Sequence, residues 1–366
     1  MKFLFVMTTS SNVINFRADF IRFLKEKGHE VSVIAHDDER KSDVLNLGVS
    51  AFYCAKQDNR SLNPFSILTY KKTLKEIISK EKPDYLFTYQ LKPNVFGTIA
   101  GKKAGVKNIY SFVEGLGDVY VNNSFKWKII RLVVNSLYKR AFRHAKAVCF
   151  LNEEDKMEFV NRKLVKQEKC HVFHLVGLDL NHFKYCDVKN NARFLMVARM
   201  LKTKGLFEYF ECARIVKEKY PNAIFDYVGA EGSQKISDVQ DYVDKGIVNY
   251  HGVQKDVRPF YENATVNVLP SYREGLGLVN AEAGAIGRMS ITCNVVGTKD
   301  TVKDGYNGFL IEKENVNQLV EKVIWCIENP EEVAKMGKNA RTFVEQHFER
   351  SKINERVYKT IIDCDR

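Results

Sequence analysis

Pro270-Ser-Tyr-Arg-Glu274-Gly-Leu-Gly-Leu-Val-Asn-Ala-Glu282 follows directly on the apolar run Val266-Asn-Val-Leu269, and this junction decides how the chain is read. The run has the length and bulk of a buried strand. Pro270 and Ser271 end it, Gly275 and Gly277 supply a tight turn, and Leu278 to Ile286 reads as a helix. A strand that hands over to a helix N-terminus offers free N–H groups and the positive end of the helix dipole to an anion, and glycines let a diphosphate approach the backbone. Gly275, Leu276, Gly277 and Leu278 are therefore candidate donor-binding positions. Glu274 before the turn and Glu282 within the helix each bring two acceptor oxygens, suited to hexose hydroxyls in one case and to a ribose diol in the other. A capped surface helix with two solvated acids would show the same short pattern, so a second signal is needed.

That signal lies upstream, in Phe194-Leu-Met-Val-Ala-Arg199-Met-Leu-Lys-Thr-Lys204-Gly205, where an apolar strand runs into a basic turn and a helix follows. Arg199 and Lys204 can clamp a diphosphate, one through its planar fork and the other as a point charge. A solvated basic loop is the plainer explanation for Lys202, and a weaker one for Arg199, which closes an unbroken apolar run.

With these residues in view, the chain resembles the retaining family 4 glycosyltransferases of GT-B fold. Arg199 and Lys204 fit the family's R-x4-K diphosphate clamp, Glu274 and Glu282 its E-x7-E motif, and His251-Gly-Val253 between them the segment that approaches the base. The resemblance implies that Glu274 contacts the transferred sugar, Glu282 holds the ribose, and Arg199 with Lys204 stabilises the departing diphosphate. Gly297 to Gly308 also resembles the family's segment after the second Glu. Gly287-Arg288-Met289 stands where Lys-Pro is usual, and Asp300 where Glu is common.

The length of 366 residues exceeds what one core usually organises, and 45% hydrophobic content is ample for two. No stretch of 18 or more apolar residues could span a bilayer, and Met1 to Met7 reads as a first strand rather than a signal peptide. The eight cysteines (54, 149, 170, 186, 212, 293, 326 and 364) show no C-x-x-C spacing. They read as reduced core residues, and no metal site is expected. A net charge of +12 calls for an anionic partner: nucleic acid, phosphorylated substrate or anionic lipid.

In chain order, apolar strands at Lys2–Thr8, 31–35, 48–54, 84–88, 108–112 and 147–151 alternate with helices at 16–27, 65–80 and 95–104, a β-α-β pattern that predicts a parallel sheet. The turn after the first strand is not G-x-G-x-x-G, but Ser11 and Asn12 can present polar groups to an anion. Capping explains Ser11 equally well. After a polar linker at 181–191 the pattern restarts, with strands at 194–197, 223–228 and 247–250 and helices at 206–219, 316–327 and 331–347. The pattern predicts two α/β halves, and the resemblance implies that residues 1–181 are an acceptor-binding Rossmann-like domain, 192–345 a donor-binding one facing it across a cleft, and 346–366 a helix crossing back.

The segment 119–146 holds seven Lys or Arg and no Asp or Glu. Its apolar residues exceed what one core stripe needs. A helix with Phe125 and Trp127 beside Lys126, Lys128, Arg131, Lys139 and Arg140 suits an anionic membrane interface. A core helix with a solvated basic face accounts for it as well.

Several stretches sharpen the resemblance to one branch, bacterial enzymes that add N-acetylgalactosamine to a sugar on undecaprenyl diphosphate. They are Arg60-Ser-Leu-Asn-Pro-Phe65, Lys92-Pro-Asn94-Val-Phe-Gly97, Val113-Glu114-Gly-Leu-Gly117, Asn135-Ser-Leu-Tyr-Lys139 and Val176-Gly-Leu-Asp-Leu180. Lys92, Asn94, Gly115 and Gly117 join Ser11 and Asn12 as candidate acceptor-binding positions, and Glu114 is the candidate for orienting the acceptor hydroxyl. The resemblance implies a UDP-sugar donor, a lipid-diphosphate-linked saccharide acceptor, no metal or other cofactor, and a peripheral place on the cytoplasmic face of the inner membrane. Two other readings remain. A sugar-nucleotide 2-epimerase shares the diphosphate logic but needs no basic membrane helix. A nucleic-acid-binding protein suits the charge but lacks a reading module.

Overall fold

Every apolar run that alternates with a helix becomes a parallel strand, because the crossover helix returns the chain to the same edge of the sheet. The structure, a computed structural model, describes residues 1–57, 63–121, 124–173 and 177–363. Two compact units result, Met1–Val176 with Asn354–Arg366, and Gly177–Ile353. The first contains β1 (Lys2–Val6), β2 (Glu30–Ala35), β3 (Ala51–Cys54), β4 (Tyr85–Tyr89), β5 (Asn108–Val113), β6 (Ala147–Phe150) and β7 (Cys170–Val172), ordered 3-2-1-4-5-6-7 and all parallel. The second contains β8 (Arg193–Val197), β9 (Ile224–Val228), β10 (Asn249–Tyr250), β11 (Val266–Leu269), β12 (Met289–Cys293) and β13 (Gly308–Ile311), ordered 10-9-8-11-12-13, again all parallel. This is the α/β, GT-B class of architecture, with two Rossmann-like units.

In each sheet the strand order reverses beside the first strand, between β1 and β4 and between β8 and β11. Ligands of open α/β sheets bind at the strand C-termini at such a reversal. Arg199 follows β8 and Glu274 follows β11, so the sequence places both at the second unit's reversal.

The boundaries differ from the sequence reading. The stretch Gly177–Leu180 and the residues up to Ile353 belong to the second unit, because Leu178 accepts from Arg350 N (3.1 Å) and donates to Phe348 O (2.8 Å). From Asn354 onward the final helix (Arg350–Asp363) packs with the first unit, where Tyr358 meets His29 (2.9 Å) and Tyr110 donates to Ile361 O (3.0 Å). Residues 60–62 of the stretch 60–65, Val176 and Cys364 lie outside the described residues.

The polar turn expected at 8–12 gives way at Ser10 to a helix, Ser10–Phe16, with Thr9 as its N-cap: the Thr9 hydroxyl accepts from Asn12 N at 3.1 Å. Ser11 is thus not the cap. The helix Pro64–Glu81 starts on the Asn63 cap and buries Tyr70, Leu74 and Ile78. A helix expected at 95–104 is a π-helical turn, Pro93–Gly97, continued by Thr98–Lys103. Sequence reading missed the short β7, β12 and β13, each of five residues or fewer, and the polar helix Glu153–Asn161.

Arg288, flagged in the sequence as a departure, is fully buried. It donates to the carbonyls of Tyr261 (2.9 Å), Cys186 (2.7 Å) and Glu262 (2.9 Å), tying the linker after residue 181 to the sheet. Its five donors need many acceptors, and main-chain carbonyls provide them without a counter-ion.

Candidate active site

Lys204 ends the basic turn after β8, and Gly205 closes it in a left-handed conformation (φ +76°). A side chain at 205 would collide with Pro270 O, 2.3 Å from the position of a Cβ, so glycine is what lets this turn press against the end of β11. The contact is fastened by Tyr272 N donating to Thr203 O at 2.9 Å. It brings the Lys204 ammonium to both carboxylate oxygens of Glu274, at 2.5 and 2.6 Å. Glu274 is held from the other side by its N–H donating to Val296 O (3.0 Å), and Gly297 (φ +84°) leaves room for the Glu274 carbonyl. Arg199 is exposed and makes no hydrogen bond or ion pair with any described residue. One cation is thus paired and the other is free.

Gly277 caps the helix Leu278–Ile286 with a left-handed conformation (φ +42°), and Leu276 is buried beneath the turn. The first N–H groups of any helix lack intrahelical acceptors, which makes this terminus a place for an anion. Glu282, one turn in, is partly accessible at its edge while its carboxyl is enclosed by protein. Burial pushes its pKa up to about 7, against the hydrogen bond donated by Tyr261 OH at 3.1 Å. No cation pairs with it among the described residues.

His251 follows β10, but its ring is turned to the buried Asp226 (2.8 Å), which also accepts from Arg193 Nε (2.5 Å) and Asn249 Nδ2 (3.1 Å). Desolvation works to raise the Asp226 pKa, and these hydrogen bonds outweigh it and hold the carboxyl below its ordinary value. Nε2 of His251 is therefore engaged by Asp226; Val253, two residues on, is exposed.

In the first unit Glu114 follows β5 and is engaged on both oxygens, by the buried Arg17 on one and by Gln90 on the other, each in a short contact. Gln90 itself is left-handed (φ +64°), which costs a non-glycine residue about 1 kcal/mol or more. Its carbonyl oxygen accepts from Thr8 Oγ1 (3.3 Å), and Thr8 in turn accepts from Asn12 Nδ2 (2.9 Å). One chain of hydrogen bonds thus joins Asn12, Thr8, Gln90, Glu114 and Arg17. Sequence reading singled out Asn12 and Glu114 and missed Thr8, Gln90 and Arg17, which carry no motif. Ser11 is half-buried next to it, and Gly115 and Gly117 have positive φ (+131° and +63°) with open space where a Cβ would sit.

Asn94 does not reach this surface. It is fully buried, accepting from Thr88 Oγ1 (2.9 Å) and donating to Phe112 O (2.8 Å), and so ties the π-helical turn to β4 and β5. Lys92 is buried as well. Both therefore lie beneath the surface on which the sequence reading placed them.

The helix Phe125–Phe142 has a core face of Val134, Tyr138, Ala141 and Phe142, and an outer face that leaves Phe125 (78%) and Leu132 (71%) exposed with Ile129 and Val133. Lys126, Lys128, Lys139 and Arg140 are exposed. Trp127 is half-buried, and Arg131 folds back to donate to Val119 O (2.8 Å), so neither presents itself as the sequence suggested. Among the described residues no helix is long and apolar enough to cross a membrane, and no cluster of His, Cys, Asp or Glu could hold a metal.

Each unit is a parallel sheet with polar side chains at the strand C-termini, and comparison with known proteins gives the family. Residues 2–152 match the family described as glycosyl transferase 4-like, and residues 179–343 that described as glycosyl transferases group 1. The chain belongs to these glycosyltransferases. It is 29% identical to the N,N'-diacetylbacillosaminyl-diphospho-undecaprenol alpha-1,3-N-acetylgalactosaminyltransferase of Campylobacter jejuni, over 99% of this chain and 100% of that one. It is 25% identical to the UDP-Gal:alpha-D-GlcNAc-diphosphoundecaprenol alpha-1,3-galactosyltransferase of Escherichia coli, over 93% and 90%. Among solved structures, HepE of Anabaena in complex with UDP superposes with a TM-score of 0.81 at 19% identity, covering 99% of this chain and all of that one, a likeness of fold.

Proposed function

We propose that the chain moves a hexose or N-acetylhexosamine, with UDP-GalNAc as the favoured donor, onto a sugar carried by undecaprenyl diphosphate, with retention of configuration, in bacterial surface-glycan or glycoprotein assembly. The observation that carries this reading is the placement of Arg199, Lys204 and Glu274 together at the β8/β11 reversal, beside the N-terminus of the helix Leu278–Ile286.

In this reading Glu282 accepts from the ribose diol, and the diphosphate lies on the helix N-terminus with Arg199 and Lys204 against it. Glu274 accepts from hydroxyls of the transferred sugar. The acceptor oxygen bonds to the anomeric carbon on the face from which the diphosphate departs, and the acceptor proton passes to the departing phosphate oxygen. Negative charge grows on the diphosphate as the bond breaks, so fixed cations there stabilise the transition state more than the ground state. They also supply the charge that a metal would, and the proposal needs none. Glu114, fixed by Arg17 and Gln90, is the group of the first unit that orients the acceptor hydroxyl. The exposed apolar and basic face of the helix Phe125–Phe142 rests on the anionic cytoplasmic surface of the inner membrane, where a polyprenyl-linked acceptor resides.

Calorimetry with UDP and UMP tests the clamp. UDP is expected to bind at least roughly tenfold tighter, because its β-phosphate meets two cations. Equal affinities would reject this placement.

A further inference from the structure

The helices Pro64–Glu81 and Thr98–Lys103 pack into the same core as the helix Phe125–Phe142, on one face of the seven-stranded sheet, and their outer sides form a second surface that the function above does not use. Between the first two lies a cavity of about 270 Å3, floored by Phe96, Ile99 and Ala100 and rimmed by Lys71, Lys72, Lys75 and Lys103. Its charges are not neutralised from within. Lys72 approaches Glu76 at 4.0 Å with both side chains well exposed, and Lys71, Lys75 and Lys103 form no ion pair among the described residues. The Lys71 ammonium stands 5.9 Å from the centre of the Phe96 ring.

Four cations around an apolar floor repel one another, and an anion relieves that repulsion. Leu68 (58% exposed) lines the cavity too, and Phe65 (80%) stands three residues before it at the start of the helix Pro64–Glu81. Aromatic and aliphatic residues at a helix tip backed by lysines are the composition of an interfacial contact, in which the apolar residues enter the headgroup boundary and the ammonium groups stay with the phosphates. A free phosphate would use the lysines but leave the floor and the tip without a role. A nucleic acid strand would use the charge, but a cavity of this size with one ring in its floor offers no run of stacking platforms.

We propose that this groove is a headgroup site for an anionic phospholipid of the bilayer: the phosphate is held by Lys71, Lys72, Lys75 and Lys103, and Phe65 and Leu68 insert beside it. The site rests on the functional reading only in that a lipid-borne acceptor brings the enzyme to a bilayer. With Phe125, Ile129, Leu132 and Val133 of the neighbouring helix, it gives the first unit two contacts with the membrane, which fixes its orientation there as one contact would not.

The test is sedimentation with phosphatidylglycerol vesicles, with phosphatidylcholine vesicles as the neutral comparison. A variant with Lys71, Lys72, Lys75 and Lys103 each changed to Gln is expected to bind phosphatidylglycerol vesicles roughly tenfold or more weakly, while transfer to a short soluble acceptor stays as in the unaltered enzyme. A second variant with Lys219, Lys235, Lys245 and Lys335 changed to Gln loses the same charge from the other unit and is expected to bind the vesicles as before. Undiminished binding by the first variant overturns the proposal, as does equal weakening of both, equal binding to the two lipids, or an oligonucleotide that displaces the vesicles at matched phosphate. Loss of soluble transfer in the unaltered protein would instead count against the enzymatic reading, and leaves the vesicle result to be judged by itself.

Discussion

The Lys204 ammonium sits 2.5 and 2.6 Å from the two carboxylate oxygens of Glu274, so in the free protein the cation that is to meet the diphosphate is already paired with the acid that is to meet the sugar. The two carboxylate oxygens compete with phosphate oxygens for the same ammonium. Changing Glu274 to Gln removes the competing charge. UDP should then bind more tightly, by a factor of roughly three to ten, on the scale of a partly exposed ion pair, while transfer falls steeply. Titration calorimetry on this variant that shows weaker UDP binding would contradict the competition.

Arg199, in contrast, has no partner to lose among the described residues. Its replacement by Ala should leave the melting temperature nearly unchanged, within about 0.5 kcal/mol of stability, as for a surface site. Turnover should drop on the order of a hundredfold to a thousandfold, the cost of removing one preorganised charge from a transition state. A variant that is folded and retains most of its rate would remove Arg199 from the clamp.

Glu282 gives the protein a pH dependence whose sign follows from its raised pKa. An ordinary carboxyl of 4.5 moves to about 7 in the folded protein, so between these values the folded form holds the proton more tightly than the unfolded one. Its contribution to stability is therefore full below about 4.5 and is lost as the pH rises through 7, at a cost of about 3 kcal/mol. Thermal melts should show Glu282→Gln more stable than the unaltered protein at pH 8 and indistinguishable from it near pH 4.5. The affinity for UDP in the unaltered protein should rise over the same interval, because only the ionised carboxyl accepts from both ribose hydroxyls. A flat profile for both would refute the assignment.

Arg288 tests the fold rather than the chemistry. With its side chain removed, the carbonyls of Cys186, Tyr261 and Glu262 lose their donor in a buried place, and Arg288→Ala should destabilise the second unit by about 3 kcal/mol or more in denaturant unfolding. A loss under about 1 kcal/mol would show that water replaces the guanidinium.

The strands and long helices were legible because apolar runs of uniform character leave little choice of state: the helices at 206–219 and 278–286 lie where their sequence puts them. Short strands such as β7 and β13 are fixed by neighbours in the sheet rather than by their own residues, and sequence alone does not carry that. The positions Arg199, Lys204, Glu274 and Glu282 could be read because each lies near a strand end or a turn. The pairing of Lys204 with Glu274 depends on how closely two turns approach, which is set by Gly205 against Pro270. The burial of Asn94 was not legible for a physical reason: a polar residue after a strand looks exposed in sequence until the fold brings the buried Thr88 hydroxyl and Phe112 carbonyl to its amide. Gln90 and Arg17 were invisible because their role exists only across three strands.

The most direct measurement incubates the purified protein with UDP-GalNAc, with and without a polyprenyl-diphosphate-linked sugar, and follows both UDP release and the anomeric configuration of the product by NMR. The account predicts UDP release that depends on the lipid acceptor and a product whose new linkage keeps the α configuration of the donor. A β-linked product, or conversion of the nucleotide sugar that proceeds equally well without acceptor, would contradict it.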